Sequence, residues 1–440
     1  MSGAPLFPAR PDPIRLWSRT YPERTALVDR ARGVRLGYAE LDRAIDRWAA
    51  VLRDLGVVRG DLVAVLAGNR REVVEVFFAC GRIGAALLPL NWRLSAAELT
   101  TVVDDARPDL LLAETRFRHL ADGVAQATTA GLPGWIDLDS IPELLAFSGN
   151  APADAALDPE DPALVLYTSG STGTPKGAVL PHRQLLWNAV ATATGWELGP
   201  DDVAPVATPF FHTGGWNVFA LPLWHRGGTV VLFDGFDADD FLAACEEEGC
   251  TVALTVPTQL LMLAESPRWG RPLPRLRFFI SGGAPCPPSL AARVRAAGYR
   301  FREGYGLTEC GPNCFVLSTE EAERRPGCVG RPIPFLEMRL EAADGREAAP
   351  GEAGELLLRG PQMFSGYLRA PERTAEAMTP DGWLRTGDLA RRDADGVFQI
   401  CGRRKEMYIS GGENVFPGEV ETALAECPGV AEVVVVGVPD

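Results

Sequence analysis

The stretch from Tyr167 to Gly177 carries the residue types that bind phosphate. It reads Tyr-Thr-Ser-Gly-Ser-Thr-Gly-Thr-Pro-Lys-Gly and follows an apolar run, Leu164 to Tyr167, that is typical of a buried strand. Its glycines let backbone N–H groups approach an anion, its hydroxyl groups donate further hydrogen bonds, and Lys176 adds a positive charge. The stretch therefore predicts a phosphate site, while a loop that is merely rich in Ser and Gly stays open as the alternative.

This stretch differs from the Walker A sequence of other nucleotide-binding proteins. Pro175 stands where that motif has Gly, and Gly177 stands where it has Ser or Thr. Apart from Lys176, lysine occurs only at position 405, and every other basic residue is Arg. Because Lys provides a compact point charge that Arg does not, the two lysines indicate positions where such a charge is required.

Two further stretches combine small or aromatic residues with polar ones. Ser281 to Pro285 (Ser-Gly-Gly-Ala-Pro) follows a predicted strand and could form a flat wall for a planar base, although a turn that merely needs Gly would look the same. Tyr305 to Glu309 (Tyr-Gly-Leu-Thr-Glu) places an aromatic ring, a hydroxyl and a carboxylate close together. An aromatic face stacks on a base and a carboxylate suits Mg²⁺, so this stretch fits a nucleotide.

Asp388 ends the sequence Trp-Leu-Arg-Thr-Gly-Asp. Its carboxylate can accept hydrogen bonds from two vicinal hydroxyls at once, which is what a ribose offers. A solvated aspartate in a turn is the alternative. The sequence offers neither a Ser-His-Asp order nor a cluster of His, Cys and carboxylates at the spacing of metal ligands.

Taken together, these stretches resemble the adenylate-forming (AMP-binding) enzymes, the family of acyl-CoA synthetases, aryl-CoA ligases, luciferases and peptide-synthetase adenylation domains. The resemblance covers essentially the whole chain, with the motifs in the expected order. It implies that a carboxylate and ATP condense to an acyl-adenylate and pyrophosphate, and that an acyl-CoA synthetase then transfers the acyl group to coenzyme A. It also implies ATP, Mg²⁺ and coenzyme A as cofactor and co-substrates.

The resemblance assigns the nucleotide to particular side chains. It implies that Tyr305 contacts the adenine, that Thr308 contacts the α-phosphate and that Glu309 binds Mg²⁺. It implies that Asp388 binds the ribose and that Arg403 is a second ribose or phosphate contact. The predicted nucleotide-binding residues are Thr168, Ser169, Gly170, Ser171, Thr172, Gly173, Thr174, Lys176, Gly283, Ala284, Pro285, Tyr305, Gly306, Thr308, Asp388 and Arg403.

Such a reaction needs no nucleophile from the protein. Because the substrate carboxylate attacks the α-phosphorus in line, the protein has to position two anions and neutralise the charge that develops. Lys176, Thr308 and Glu309 suit this task. As a fourth catalytic residue the resemblance adds His212, in Pro-Phe-Phe-His-Thr-Gly-Gly, on the wall of the acyl site; a buried core histidine is the alternative. Lys405 falls on the family's hinge, about which the small domain rotates between the half-reactions.

The residues around His212 bear on which acid is activated. In the resembled family, amino-acid-activating domains place an Asp near this position, and synthetases for small dicarboxylates carry Arg where this chain has Gly304. With no counter-charge, an apolar tail is expected, so a medium- or long-chain fatty acid comes first and an aryl or alicyclic acid second. A non-catalytic module that binds nucleotide or acyl-adenylate is the alternative from another class. The predicted acyl pocket consists of His212, Trp216, Asn217, Phe219, Gly282, Gly304 and Gly306.

The elements that must position these residues follow a regular pattern. Strands alternate with helices on both sides of the phosphate stretch, which predicts parallel sheets covered on both faces. Beyond Gly327 the pattern changes to short strands and turns. We expect an α/β fold with a large N-terminal domain, residues 1–402, of two α/β-layered subdomains (1–162 and 163–326) and a small β-barrel-like subdomain (327–402). Residues 403–440 would begin a small α+β C-terminal domain.

Three single elements are predicted from local patterns. Ser95 to Glu98 (Ser-Ala-Ala-Glu) has the spacing of a capping box and predicts the start of a helix. Trp216 to Trp224 is predicted to be helical, and Val430 to Val436 is predicted to be a strand.

Composition and charge narrow the class of protein. Hydrophobic residues make up 46% and charged residues 23% of the chain, as in ordinary globular proteins. The net charge of −15 argues against nucleic acid or an anionic membrane as a general partner, since both favour a basic face. The nine scattered cysteines are expected to be reduced thiols, and neither a signal peptide nor a membrane-spanning stretch is visible. We expect a cytoplasmic enzyme whose partners are an acid, ATP and coenzyme A; a homodimer stays open.

The end of the sequence carries one further expectation. Members of the resembled family continue for several tens of residues beyond the position of Asp440, and a lysine there bridges the substrate carboxylate and the phosphate. The two lysines of this chain are already assigned, Lys176 to the phosphate stretch and Lys405 to the hinge. The resemblance therefore predicts a truncated or incompletely represented synthetase that binds ATP or acyl-adenylate but forms the adenylate poorly. Gly411 and Gly412 lie where the family passes the pantetheine arm of coenzyme A.

Overall fold

The computed structural model describes residues 12–140, 154–168, 175–410, 413–425, 427, 430 and 433–438. Ser169 to Thr174 of the phosphate stretch, and Gly411 with Gly412, lie outside these described residues. The chain forms two compact units, and the subdomain boundaries expected from the sequence stay predictions. Unit 1 comprises Met1–Asp237, Thr308–Pro312 and Gln362–Pro371, and unit 2 comprises Ala238–Leu307, Asn313–Pro361 and Glu372–Asp440.

Helices and strands alternate through most of the described chain, which confirms the mixed α/β class. The helices are α1 Pro13–Thr20, α2 Tyr38–Asp54, α3 Arg71–Ile83, α4 Ala96–Ala106, α5 Arg118–Ala127, α6 His182–Gly195, α7 Ala220–Arg226, α8 Ala238–Glu247, α9 Pro257–Glu265, α10 Pro288–Ala296, α11 Thr319–Arg324, α12 Pro371–Ala377 and α13 Pro417–Ala425. The strands are β1 Thr25–Asp29, β2 Val34–Gly37, β3 Leu62–Leu66, β4 Ala86–Pro89, β5 Leu110–Ala113, β6 Ile136–Asp137, β7 Pro162–Thr168, β8 Lys176–Pro181, β9 Val203–Val206, β10 Thr229–Leu232, β11 Val252–Thr255, β12 Phe278–Ser281, β13 Phe301–Glu303, β14 Phe315–Val316, β15 Arg331–Pro332, β16 Glu337–Glu341, β17 Gly354–Arg359, β18 Gly366–Tyr367, β19 Leu384–Arg392, β20 Phe398–Arg403, β21 Tyr408–Ser410 and β22 Glu413–Val415.

The larger sheet of unit 1 carries both ends of the phosphate stretch. Within the described residues it has seven strands in the order β18-β8-β7-β4-β3-β5-β6. The strands from β7 to β6 are parallel to their neighbours, whereas β8 runs antiparallel to β7 and β18 antiparallel to β8. Every residue of β3 is buried, as expected for a parallel strand that is covered on both faces. This sheet therefore provides a rigid base for Thr168 and Lys176.

A second sheet of unit 1 has the order β2-β1-β10-β9, and buried polar contacts tie the neighbouring helices together. The hydroxyl of Tyr38, at the start of α2, donates to the carbonyl oxygen of Gly228 at 2.7 Å. The indole Nε1 of Trp48 donates to Oε2 of Glu75 at 2.8 Å, which links α2 to α3. Both Trp48 and Glu75 are almost fully buried, so this carboxylate lies in the core.

Unit 2 combines a small parallel sheet with an antiparallel one. Strands β11, β12 and β13 are parallel and adjacent, and β16, β17, β19 and β20 form an antiparallel sheet in that order. In a parallel sheet the carboxyl ends of the strands meet at one edge, where ligands commonly bind. Strand β12 ends at Ser281 and β13 ends at Glu303, so the two glycine-containing stretches that follow them leave the sheet at this edge.

The predicted capping box is confirmed at the start of α4. The hydroxyl of Ser95 accepts a hydrogen bond from the N–H of Glu98 at 3.3 Å, and the carboxylate of Glu98 accepts one from the N–H of Ser95 at 2.8 Å. Among the helices that the structure describes, none is both long and apolar enough for a bilayer crossing.

Two predicted elements differ in the structure. The helix predicted from Trp216 to Trp224 is confirmed as α-helix only from Ala220, because Gly214–Val218 form a wider π-helical turn. A Cβ atom on Gly215 would lie 2.8 Å from the carbonyl oxygens of Thr208 and Pro209, so a close backbone approach replaces the first helical turn. The strand predicted to end at Val436 is wrong for residues 433–436, because the N–H of Val435 donates to the carboxylate of Glu421 instead of to a neighbouring strand.

Candidate active site

Strands β7 and β8 form an antiparallel hairpin that frames the phosphate stretch. Thr168, the last residue of β7, pairs directly with Lys176, the first residue of β8. Directly paired residues of adjacent strands place their side chains on the same face of a sheet. The hairpin therefore places the side chains of Thr168 and Lys176 on the same face of the sheet, at the two ends of the predicted phosphate contacts.

Thr308 and Glu309 lie in a short 3₁₀ turn, Thr308–Cys310, that belongs to unit 1. Two buried amides hold the backbone of this turn. Nε2 of Gln184 donates to the carbonyl oxygen of Thr308 at 2.9 Å, and Nε2 of Gln362 donates to that of Cys310 at 2.8 Å. Both glutamines are fully buried. Because breaking such buried hydrogen bonds is costly, they fix the position from which the Thr308 and Glu309 side chains project.

A tyrosine that the sequence analysis missed contacts both charged groups. The hydroxyl of Tyr367 donates to Oε1 of Glu309 at 2.7 Å, and Nζ of Lys176 lies 4.8 Å from the centre of the Tyr367 ring. Burial and the neighbouring Glu309 carboxylate raise the pKa of Tyr367 above its usual range. The phenol therefore keeps its proton at neutral pH and acts as the donor.

The surroundings of Glu309 fit a magnesium ion that accompanies a nucleotide. Mg²⁺ in such sites is commonly held by one or two carboxylates together with substrate phosphates and water. Tyr367 orients the carboxylate of Glu309, as outer-shell hydrogen bonds orient metal ligands. In the chain as far as it is described, no cluster of three or more His, Cys, Asp and Glu residues could hold a metal by itself. Glu309 thus suits a metal ion that arrives with the phosphates.

His212 follows Phe211 near the surface of unit 1. Its ring lies 4.6 Å from the ring of Phe211, and the residue is exposed to solvent although many protein atoms surround the imidazole. This partial burial and, secondly, the positive charge of Arg93 lower the pKa of His212 below its usual value. His212 is therefore a neutral imidazole at physiological pH, and the alternative of a buried core histidine does not describe it.

The other predicted acyl-pocket residues of unit 1 are packed inside. The indole of Trp216 stacks on Phe210 with ring centres 4.1 Å apart, and Phe219 packs edge-to-face against Trp196. Trp216, Asn217 and Phe219 are almost completely buried. Their contact with a substrate stays a prediction.

In unit 2, Tyr305 and Arg403 both contact Asp388. The hydroxyl of Tyr305 donates to Oδ2 of Asp388 at 2.5 Å, and Nε of Arg403 lies 2.9 Å from Oδ1. Asp388 and Arg403 are direct partners across β19 and β20, which explains why they meet. The alternative of a solvated aspartate fails, because Asp388 is only 4% exposed.

Burial governs the charge of Asp388. It raises the pKa of this carboxyl above its usual value, while the Tyr305 hydrogen bond and the Arg403 charge oppose that rise. Each carboxylate oxygen has two acceptor positions, so both oxygens can still accept a hydrogen bond from a ligand.

Two glycine-containing stretches of unit 2 approach each other closely. The N–H of Gly304 donates to the carbonyl oxygen of Ser281 at 2.8 Å, and a Cβ atom on Gly282 would lie 3.5 Å from the carbonyl oxygen of Gly304. Gly283 has φ +84°, a conformation that favours glycine. Gly283, Ala284 and Pro285 are exposed, as the wall of a binding site must be. Gly306 directly follows Tyr305.

The predicted site residues thus fall into two groups. Unit 1 brings together Thr168, Lys176, Thr308 and Glu309, with His212 elsewhere in the same unit. Unit 2 brings together the two glycine-containing stretches, and Tyr305, which lies in the second of them, contacts Asp388, which Arg403 also contacts. Lys405 is exposed in the turn between β20 and β21, and its role as a hinge stays a prediction.

Tyr367, Gln184 and Gln362 were missed for a clear reason. Tyr367 lies in a strand of two residues, which leaves no periodic pattern in the sequence. Gln184 and Gln362 act through backbone carbonyls of a distant segment. A long amide side chain at a fully buried position would have pointed to both glutamines, but their burial is known only from the structure.

Comparison with known protein families gives one match that covers most of the chain. Residues 14–368 match the family described as AMP-binding enzyme. A feruloyl-CoA synthase from Amycolatopsis sp. is 40% identical over 429 residues, which cover 97% of this chain and 85% of that protein.

Two solved structures share the fold. The o-succinylbenzoate coenzyme A synthetase of Bacillus subtilis, in complex with ATP and magnesium ion, has a TM-score of 0.88 and 31% identity, with 98% of this chain and 87% of that chain covered. A fatty acyl CoA synthetase of Mycobacterium tuberculosis has a TM-score of 0.85 and 31% identity, covering 97% of this chain and 85% of that chain.

Proposed function

Since the chain belongs to the family of AMP-binding enzymes and is an acid–thiol ligase, we propose that it joins an aryl-substituted carboxylic acid to coenzyme A through an acyl-adenylate. One observation carries the proposal for the nucleotide. Lys176 and Glu309, a cation for phosphate and a carboxylate for Mg²⁺, contact the same side chain, Tyr367. Family membership favours a catalyst over the non-catalytic binding module that the sequence alone left open.

The first half-reaction forms the acyl-adenylate. A carboxylate oxygen of the acid attacks the α-phosphorus of ATP, the bond to the β-phosphate oxygen breaks, and pyrophosphate leaves. Lys176 binds the phosphates, and the hydroxyls of Thr168 and Thr308 donate hydrogen bonds to them. Glu309 would hold Mg²⁺, which would supply positive charge to the phosphates.

In the same proposal, unit 2 binds the nucleoside. The ring of Tyr305 packs on the adenine, beside the exposed wall of Gly283, Ala284 and Pro285. Asp388 accepts hydrogen bonds from the two ribose hydroxyls, and Arg403 holds its carboxylate in place.

The second half-reaction transfers the acyl group. The thiol of coenzyme A loses its proton to solvent, its sulfur attacks the acyl carbonyl, the bond between the carbonyl carbon and the phosphate oxygen breaks, and AMP leaves. The proposal also includes Lys405 as the hinge between the two half-reactions and the Gly411 and Gly412 stretch as the route of the pantetheine arm. It further includes a cytoplasmic location.

The relatives favour an aryl acid over the fatty acid that the sequence analysis put first. The feruloyl-CoA synthase is more similar to this chain than the fatty acyl CoA synthetase is, at 40% against 31% identity. The neutral imidazole of His212, tilted against the Phe211 ring, offers an uncharged aromatic contact that suits an aromatic body. A medium- or long-chain fatty acid is the second candidate, which the fold shared with the fatty acyl CoA synthetase supports.

A panel of acids tests the proposal. The chain is incubated with ATP, Mg²⁺ and coenzyme A and with ferulate, phenylacetate, octanoate, palmitate, malonate or phenylalanine, and kcat/KM for thioester and AMP formation is measured. We expect an aryl acid to exceed octanoate by about tenfold or more, since a misfit in an apolar pocket costs roughly 10- to 200-fold. A clear preference for palmitate would favour the second candidate, and a preference for malonate or phenylalanine would refute both.

A further inference from the structure

A single segment, residues 362–368, is hydrogen-bonded to both elements that carry the charged groups of unit 1. On one side, the N–H of Phe364 donates to the carbonyl oxygen of Glu309 at 2.7 Å. On the other side, the N–H of Ser365 donates to the carbonyl oxygen of Val179 at 3.0 Å, and that of Leu368 to the carbonyl oxygen of Gly177 at 2.7 Å. The segment thus fixes the backbone of the 3₁₀ turn relative to the backbone of β8.

Tyr367 extends this link to the side chains. Its residue partner on β8 is Ala178, two positions after Lys176, so its ring lies next to the start of that strand. The ring is packed edge-to-face against the buried Phe364, with centres 5.0 Å apart. Because the ring is fixed by this contact, its hydroxyl has a defined position, which is 2.7 Å from Oε1 of Glu309.

The arrangement keeps two opposite charges apart. A lysine and a glutamate that lie close together would ordinarily form an ion pair, which would occupy the groups that a phosphate and a metal ion need. In the described part of the chain, the Lys176 ammonium and the Glu309 carboxylate do not form such a pair. Instead the ammonium lies over the negative face of the Tyr367 ring, and the carboxylate accepts the Tyr367 hydroxyl.

We propose that Tyr367 is a positioning residue that holds the carboxylate of Glu309 and the ammonium of Lys176 in separate, fixed places for a magnesium–nucleoside triphosphate. This inference rests on the proposed function of the site. The two parts of the side chain have different tasks: the hydroxyl orients the metal ligand, and the ring holds the ammonium.

Two substitutions separate these tasks. Tyr367→Phe removes the hydroxyl and keeps the ring, whereas Tyr367→Leu removes both. The matched control is Tyr38→Phe, which removes a buried hydroxyl that donates to the carbonyl oxygen of Gly228, elsewhere in unit 1. Unfolding curves of all variants are measured alongside, so that binding is compared only between folded proteins.

Calorimetric affinity for ATP, with Mg²⁺ and with a chelator in its place, is the readout. For Tyr367→Phe we expect the Kd with Mg²⁺ to rise about tenfold, since loss of an outer-shell partner typically costs 10- to 100-fold in metal affinity, and the Kd without Mg²⁺ to stay unchanged. For Tyr367→Leu we expect an additional rise of about threefold in the Kd without Mg²⁺, because the ammonium loses its ring. Tyr38→Phe should leave both Kd values unchanged.

The double variant Tyr367→Phe with Glu309→Gln completes the design. If the hydroxyl acts through Glu309, the Mg²⁺-dependent losses of the two substitutions will not add. A Tyr367→Phe variant that binds ATP equally well with Mg²⁺, or losses that add fully, would overturn the positioning role. A wild-type chain that does not bind ATP under either condition would instead refute the proposed function itself.

Discussion

Both units hold a carboxylate with a tyrosine hydroxyl, but they place the neighbouring cation differently. In unit 2 the guanidinium of Arg403 contacts the carboxylate of Asp388 directly, at 2.9 Å, and Tyr305 donates to the other oxygen. In unit 1 the ammonium of Lys176 lies over the ring of Tyr367, whose hydroxyl donates to Glu309. The charges of unit 2 are thus neutralised in place, whereas those of unit 1 stay available to a ligand.

The difference matches the chemistry expected of the two groups. A nucleoside presents a neutral base and hydroxyl groups, so a carboxylate that is already paired can accept its hydrogen bonds without holding a large uncompensated charge. Triphosphate and Mg²⁺ carry their own charges and require unpaired partners. Changing one charged group at a time tests whether the two units differ in this way.

Removing the ammonium of unit 1 should have the largest effect. We expect Lys176→Met to lower the single-turnover rate of acyl-adenylate formation by about 10²- to 10³-fold, as when one preorganised donor to a developing anion is lost. Lys176→Arg should recover part of the rate, since the charge is kept but its shape is changed. A Lys176→Met variant with nearly the wild-type rate would contradict the assignment of Lys176 to the phosphates.

A third carboxylate, that of Glu75, shows how burial changes the pKa of a group that also accepts a hydrogen bond from an aromatic side chain. Glu75 accepts from Trp48, as Glu309 accepts from Tyr367, but it is only 2% exposed, and this burial raises its pKa to about 7. Its contribution to the free energy of unfolding is therefore full below about pH 4.5 and is lost as the pH rises through about 7. Relative to wild type, Glu75→Gln should gain about 3 kcal/mol between these limits, measured by urea unfolding.

Glu72 of the same helix provides the control for that experiment. Burial disfavours its charge, yet the hydrogen bond and charge of Arg70 prevail and lower the pKa of Glu72. Its contribution is thus present at neutral pH and is lost as the pH falls through the lowered pKa, so Glu72→Gln should be most destabilising at neutral pH. A difference between wild type and Glu75→Gln that does not change with pH would show that Glu75 is not buried as described.

Changing the carboxylate of unit 2 should weaken ribose recognition. We expect Asp388→Asn to raise the Kd for AMP by about tenfold or more, as for loss of hydrogen bonds to a charged group, and to leave the Kd for 2′,3′-dideoxy-AMP nearly unchanged. The raised pKa of Asp388 adds a pH dependence: AMP affinity should fall on acidification at a higher pH than for an ordinary aspartate. Equal losses for both nucleotides would contradict the ribose contact.

The smallest expected effect concerns His212. Arg93→Gln removes the positive charge that, after burial, lowers the pKa of this imidazole. We expect the pKa of His212 to rise only slightly toward its usual value, because solvent partly screens this charge and burial remains. NMR titration measures the change, with the His212 signal identified by its loss in His212→Asn. An unchanged pKa would show that burial alone sets the charge of His212.

The parts of the fold and the site that could be predicted from the sequence are those with local patterns. The capping box at Ser95 and the buried strand β7 follow from spacing and apolar runs, and the candidates Lys176, Glu309 and Asp388 follow from residue type within short motifs. The helix predicted from Trp216 to Trp224 becomes regular only at Ala220, because the close backbone approach of Gly215 to Thr208 leaves no local signal in the sequence.

The contacts between distant segments could not be predicted. Tyr367 meets Glu309 only because the two-residue strand β18 joins the edge of a sheet built from other parts of the chain. Likewise Arg403 meets Asp388 through the register of β19 and β20. Such registers depend on the packing of whole sheets, which a single sequence does not reveal.

The most direct test of the account is to bind the two halves of the nucleotide separately. Calorimetry with magnesium tripolyphosphate and with adenosine is performed on wild type, Glu309→Gln and Asp388→Asn. We expect Glu309→Gln to lose affinity for magnesium tripolyphosphate but to keep its affinity for adenosine, and Asp388→Asn to show the reverse. If either substitution weakened both ligands equally, or only the ligand assigned to the other unit, the division of tasks between the two units would be contradicted.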